Sequence, residues 1–276
     1  LADCGVGACT LDNAELQEIS TTTLTIGDTD SGAIDVDDVS EPGSNNIGTL
    51  QMLTCAGISF NTGASTFNAL DAQANAGITV DVDVTTDTGD MTLDGDADDA
   101  TSGAITFNAG RTLTSAGSLT LDATTGGIVM SADGTLDLDA ADGITINDNL
   151  TSRGALDINA DTGGVADDGT LTVAAGATID TTGGAADAAL TITADDIDLT
   201  GSINTNTAST TITDSDGDGI DLGTAAVANN LDLLDTELAN ITTTGLNLVT
   251  SGTIRVDNVS AGNTATISGT TLLDTS

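Results

Sequence analysis

The stretch Asp214-Ser-Asp216-Gly-Asp218-Gly-Ile-Asp221 carries the side chains of this chain best suited to chemistry. Three carboxylates at alternate positions, followed by a glycine that permits a sharp turn, surround one point as in the first half of an EF-hand-type calcium loop. The twelfth position of such a loop falls on Ala225, which offers no bidentate carboxylate, and no flanking helices are evident. The expectation is therefore a partial calcium site of Asp214, Asp216, Asp218 and Asp221 completed by water, set against a plain solvated acidic turn. A weaker version stands at Asp94-Gly-Asp96-Ala-Asp98-Asp99. Cys4, Cys9 and Cys55 are disulfide candidates for an exported protein. With no histidine in the chain, their spacing matches no zinc pattern.

The same composition narrows what reactions are open to the chain. It has no His and no Lys, and its Arg residues stand isolated at 111, 153 and 255, so general acid–base work would fall to carboxylates alone. Among 43 acidic residues a chance pairing at hydrolase spacing carries no information, and the chain reads as a non-enzyme. A formal charge of −40 excludes phosphate-backbone binding, because nucleic-acid affinity rests on Lys and Arg. Partners are expected to be divalent cations or further copies of the chain. Only Glu15, Glu18, Glu41 and Glu237 are glutamate, and the preference for Asp fits turns, where Asp bonds its own backbone.

Those acids need a scaffold, and the sequence shows one between Leu113 and Ile203. The segments Leu119–Leu121, Ile128–Met130, Leu136–Leu138, Ile144–Ile146, Leu156–Ile158, Leu171–Val173, Leu190–Ile192 and Ile197–Leu199 start 7 to 19 residues apart. All but the second alternate apolar, polar, apolar, which is the signature of a half-buried strand. Only 1% of the chain is aromatic, so the core must be thin and built from Leu, Ile, Val and Ala, as in a solenoid. A mean hydropathy of +0.12 argues against disorder, and no apolar run is long enough to span a membrane. The expected fold is an all-β parallel β-helix of about a dozen coils, with strands two or three to the turn.

Three regions are expected. Residues 1–75 are irregular first coils with the cysteines, a helical turn or two within Leu11 to Ile19, and a protruding loop at Pro42-Gly-Ser-Asn-Asn46. Residues 76–236 form the regular solenoid. Residues 237–276 resemble the opening unit: Glu15-Leu16, Ile19, Leu24, Ile34, Val36 and Val39 recur as Glu237-Leu238, Ile241, Leu246, Ile254, Val256 and Val259, in constant register but for a two-residue gap. The chain thus reads as one long repeat and the start of the next, or as two ends that mimic each other for stacking. Toward the C-terminus, Thr264-Ala-Thr-Ile-Ser continues the strand pattern to Leu272-Leu273 without a polar cap.

Phrases such as Ala116-Gly-Ser-Leu-Thr-Leu-Asp-Ala123 and Leu156-Asp-Ile-Asn-Ala160 resemble the repeat regions of filamentous-haemagglutinin-like and autotransporter-like bacterial surface proteins. The resemblance covers most of residues 20–275 and implies a right-handed parallel β-helix, export to the cell surface, and adhesion or fibre formation. Stacked aspartates repel by about 1 kcal/mol per pair in water at strand spacing, a load that calcium or external salt can relieve. The functional expectation is a structural, extracellular, cation-stabilised subunit of a self-associating filament, sheath or fibre. The alternative is a passive stalk segment of a large adhesin. A lower alternative, an ice-binding solenoid, would need threonine facing outward on successive coils.

Overall fold

The computed structural model describes residues 11–100, 103–164, 169–224 and 227–275. Each of the eight segments forms a strand, and among the described residues all the strand pairings are parallel. One face is an eight-stranded sheet of Thr21–Gly27, Ile47–Thr54, Leu70–Ala74, Met91–Asp94, Leu119–Asp122, Ile144–Ile146, Thr170–Val173 and Asp196–Leu199. A 17-stranded sheet folds around the other two faces, its halves joined by Ile241–Val249, which pairs with Ser202–Asn204 at its start and Ser209–Asp214 further on. The result is a parallel β-helix with a three-sided core.

Successive strands of the first face start 21 to 28 residues apart. Each coil therefore spends three strands, not two, and the third face stacks nine strands from Ser65–Phe67 to Ile267–Asp274 where about a dozen levels are expected. Sequence periodicity finds Leu136–Ala140, Leu156–Asn159 and Leu190–Ala194 on this face but misses its earlier strands. Val84–Thr86 and Thr112–Ser115 each bury a single aliphatic residue, and their second inward positions hold hydroxyls. Thr86 and Ser115 are paired in register, each 1% exposed, and the Thr86 hydroxyl donates to Ser115 Oγ at 3.2 Å. A hydroxyl file inside the core stays satisfied by bonding along the stack and to the Gly89 and Ser118 carbonyls.

Burial alternates as the period-two pattern requires. Leu119 and Leu121 are fully buried while Thr120 and Asp122 face outward. Replacing Leu121 by Ala should cost about 2–5 kcal/mol through lost transfer energy and a cavity between flat coils. Thr120→Ala should stay within about 0.5 kcal/mol. Chemical denaturation of the two variants checks the difference. Glycine allows the tight corners: Gly77 and Gly143 sit at φ +104° and +103° immediately before inward Ile78 and Ile144.

Among the described residues three short helices punctuate the ends. Helix α1 (Asn13–Gln17) matches the expected helical turn and is closed by a capping box between Asp12 and Glu15. Helix α2 (Glu41–Ser44) replaces the protruding loop: Pro42 lies in its first turn, where its missing N–H costs nothing, and Gly43 and Ser44 are buried. The Ser44 hydroxyl donates to the Thr66 carbonyl at 2.8 Å, so the segment lies against the body of the solenoid. Helix α3 (Asp235–Leu238) opens the terminal unit.

The two similar units coincide in structure. Asn13 Oδ1 accepts the Ser40 N–H and Asp235 Oδ1 accepts the Ser260 N–H. Thr21 N donates to Asn46 O, and Thr243 N to Thr266 O. Asp38 and Asn258 take the same left-handed conformation, at φ +50° and +58°. The unit is rotated by one face between its copies: Thr21–Gly27 belongs to the first face and Ile241–Val249 runs onto the third.

Candidate functional site

The Asp214 loop is the corner between Ser209–Asp214 and Gly219–Gly223. Asp214 is 4% exposed, and its Oδ2 accepts the Gly219 N–H at 3.0 Å and the Thr250 hydroxyl at 2.5 Å. Asp216 lies beside it, and burial, then that neighbour, hold the Asp214 carboxyl above its ordinary range against the bonds from Thr250 and Gly219. Asp216 Oδ1 accepts only the Asp218 N–H, at 3.3 Å. Asp221 goes elsewhere. It is a strand residue, fully buried, whose Oδ2 accepts the Val227 N–H, and it pairs in register with Asp232 on one side and Arg255 on the other. The loop thus brings Asp214 and Asp216 together and leaves Asp218 and Asp221 out of the pair.

At the weaker motif, stacking recruits acids that linear spacing does not reveal. Asp94 is in register with Asp122 one coil on, and Asn147 donates to Asp122 Oδ2 at 2.8 Å from the coil after that. Asp148 faces Asp122 and accepts the Ala123 N–H at 2.8 Å. Asp99 accepts the Thr124 hydroxyl at 2.8 Å. Asp96 is 1% exposed and its Oδ2 accepts both the Thr125 N–H, at 3.2 Å, and the Thr125 hydroxyl. Desolvation first, then the charges of Asp122, Asp99 and Asp96, push the Asp94 carboxyl up to about 6 against one relieving bond from the Asp96 N–H. Asp98 bonds instead to the Asn75 amide. The signal that could have found this shelf is the near-repeat Met91-Thr-Leu-Asp94 and Leu119-Thr-Leu-Asp122. Among the described residues no three acidic or thiol side chains converge into one ready coordination sphere.

Other acid rows follow the ladders. Asp137 and Asp157 are in register on the third face, and burial together with neighbouring Asp charges raises the carboxyls of Asp139 and Asp157. Asp196, Asp232 and Asp221 form another row, linked by the Asp232 N–H on Asp196 Oδ1 at 3.0 Å. Burial, then like charge, raises Asp232. Arg255 stands in register beside Asp221 at the end of this row and bonds Asp257 and Thr224 O, while Arg111 bonds the Gly110 carbonyl and Arg153 bonds Asp133 and Gly183 O.

No family model, curated protein or solved structure matches this chain. The remaining surface features are therefore read from the fold alone. Cys55 is exposed, with its Sγ bonded to Ser31 O at 3.1 Å, while Cys4 and Cys9 lie outside the described residues. Thr92, Thr120, Thr145 and Thr172 make one outward file on the first face, but Asp94, Asp122, Asn147 and Ala174 follow two residues on, so no two-file threonine lattice results. Thr253–Val256 and Ile267–Asp274 are each paired on one side only among the described residues. Val256, Leu272 and Leu273 on these strands are 54%, 50% and 44% exposed.

Proposed function

We propose that this chain is a structural extracellular protein, a cation-stabilised β-solenoid rod that joins its own kind end to end into a surface filament, sheath or fibre. The terminal coil carries this reading. Among the described residues its strands Thr253–Val256 and Ile267–Asp274 are each paired on one side only and leave Val256, Leu272 and Leu273 exposed, where a coil further back presents a closed face. An open edge with apolar residues is a template for another strand. The acid rows favour an environment rich in divalent cations or salt, which is the outside of a cell.

Sedimentation velocity tests the association. Wild-type protein in calcium should sediment as concentration-dependent oligomers, and Leu272→Asp with Leu273→Asp should return it to monomer. A wild-type chain that stays monomeric across the micromolar range would sink end-to-end assembly. The duplication of the opening unit at 237–276 favours one second reading, a stalk in which such repeats follow one another within an adhesin.

A further inference from the structure

Asp214 and Asp216 hold two oxygens that the fold leaves unused. Asp214 Oδ1 is buried and accepts no hydrogen bond, and the same is true of Asp216 Oδ2; the Ser215 hydroxyl between them in sequence is likewise buried and unbonded. A buried carboxylate oxygen without a donor costs about 1–3 kcal/mol or more, so two of them on facing carboxylates mark a place for a positive ligand. The loop is held in shape from behind. Asp214 Oδ2 is fixed by Gly219 and Thr250, and Gly217 turns at φ +83° against Ser251, where any Cβ would strike the Ser251 hydroxyl. A Cβ on Gly252 would likewise strike the Gly217 and Asp218 carbonyls.

We propose that Asp214 Oδ1 and Asp216 Oδ2 bind one divalent cation, calcium by the hardness of an all-oxygen site, and that the ion clamps this corner to the Thr250–Thr253 corner of the terminal coil. Ser215, backbone carbonyls and water would supply the rest of a shell of six to eight oxygens. With two carboxylates, the affinity belongs with extracellular modules, about 10⁻⁴–10⁻³ M. Thr213 pairs with Val249 and Gly219 with Thr253 on either side of the loop, so an ion here stiffens the joint on which the terminal strands hang. The inference deepens the reading above by giving the stabilising cation an address. It is measured on dispersed protein, so its failure leaves end-to-end stacking untouched, and the reverse.

The test is equilibrium dialysis with radioactive calcium at neutral pH in a fixed excess of sodium, comparing the intact chain with the Asp214→Asn/Asp216→Asn variant and with Asp35→Asn/Asp37→Asn, exposed acids in register with Ser59 and Asn61 and outside the acid rows, as a control for lost charge. The first variant should bind one calcium fewer per chain and the control should not. Amides of Thr253–Val256 should exchange more slowly in calcium in the wild type only. Should the double variant fail to fold, Asp216→Asn alone serves, because Asp214 keeps its structural bonds. An unchanged calcium count in the folded variant overturns the proposal. So does a pair that alters the pH profile without altering calcium uptake, since its occupant is then a shared proton.

Discussion

In low salt with chelator, this protein should melt at a higher temperature near pH 5 than near pH 7.5, by roughly 5 °C or more. The direction follows from the carboxyls that the fold raises. Asp94 stands at about 6, and Asp139, Asp148, Asp157, Asp196, Asp214, Asp232 and Glu237 are all raised, each with burial as the leading cause. A raised carboxyl binds its proton in the folded chain at a pH where the unfolded chain has released it. Stability is therefore gained as pH falls from above the folded value toward the ordinary value near 4, and lost as pH rises through that window. The groups with the opposite sign, Asp28, Asp187 and Asp235, are lowered by local hydrogen bonds on the open surface, where solvent screens them. Calcium should raise the melting temperature near pH 7.5 and do much less near pH 5, because protons and calcium neutralise the same buried carboxylates. A melting temperature that falls steadily from pH 7.5 to pH 5 in chelator contradicts the electrostatic account.

Glu237→Ala should destabilise the chain by about 2–3 kcal/mol, while Glu15→Ala should cost under about 1 kcal/mol. The two glutamates occupy equivalent positions, and each reaches back to an N-cap N–H, Glu237 to Leu234 at 2.8 Å and Glu15 to Asp12 at 3.1 Å. Only Glu237 is also placed against a preceding coil. Its Oε1 accepts the Leu199 N–H at 2.9 Å, it is 8% exposed, and Asn240 beside it donates to the Leu199 carbonyl at 3.0 Å. Removing the carboxylate strands two N–H groups at the joint, whereas removing Glu15 loosens one exposed cap. Hydrogen exchange should show the Glu237 loss as early opening of Ile241–Val249 and Ile267–Asp274 ahead of the central coils. Equal costs for the two substitutions would mean that the joint is not held there.

Much of this architecture is legible in the sequence because a parallel solenoid repeats its inward residues locally. Leu119-Thr-Leu and Ile144-Thr-Ile announce strands without reference to anything distant. The early strands of the third face are harder to read, since Ser65, Thr86 and Ser115 fill inward positions with hydroxyls that bond across coils. Pro42 reads as a loop until Ser44 is seen bonded to Thr66. The acids divide in the same way. Spacing finds Asp214 with Asp216, which lie on one corner, but assigns Asp218 and Asp221 to a loop geometry that the strand Gly219–Gly223 does not allow. It also misses Asp122 and Asp148 beside Asp94, because only the register between coils brings them together. The duplicated opening unit is the long-range feature that sequence does show, down to residues whose hydrogen bonds recur in the fold.

Negative-stain electron microscopy of the purified chain, in millimolar calcium and then in chelator, tests the central claim most directly. End-to-end stacking of cation-stabilised rods predicts unbranched fibres one solenoid wide that shorten or disperse on chelation. Separate short rods in both conditions would contradict it and leave the chain a stalk segment that needs its neighbours.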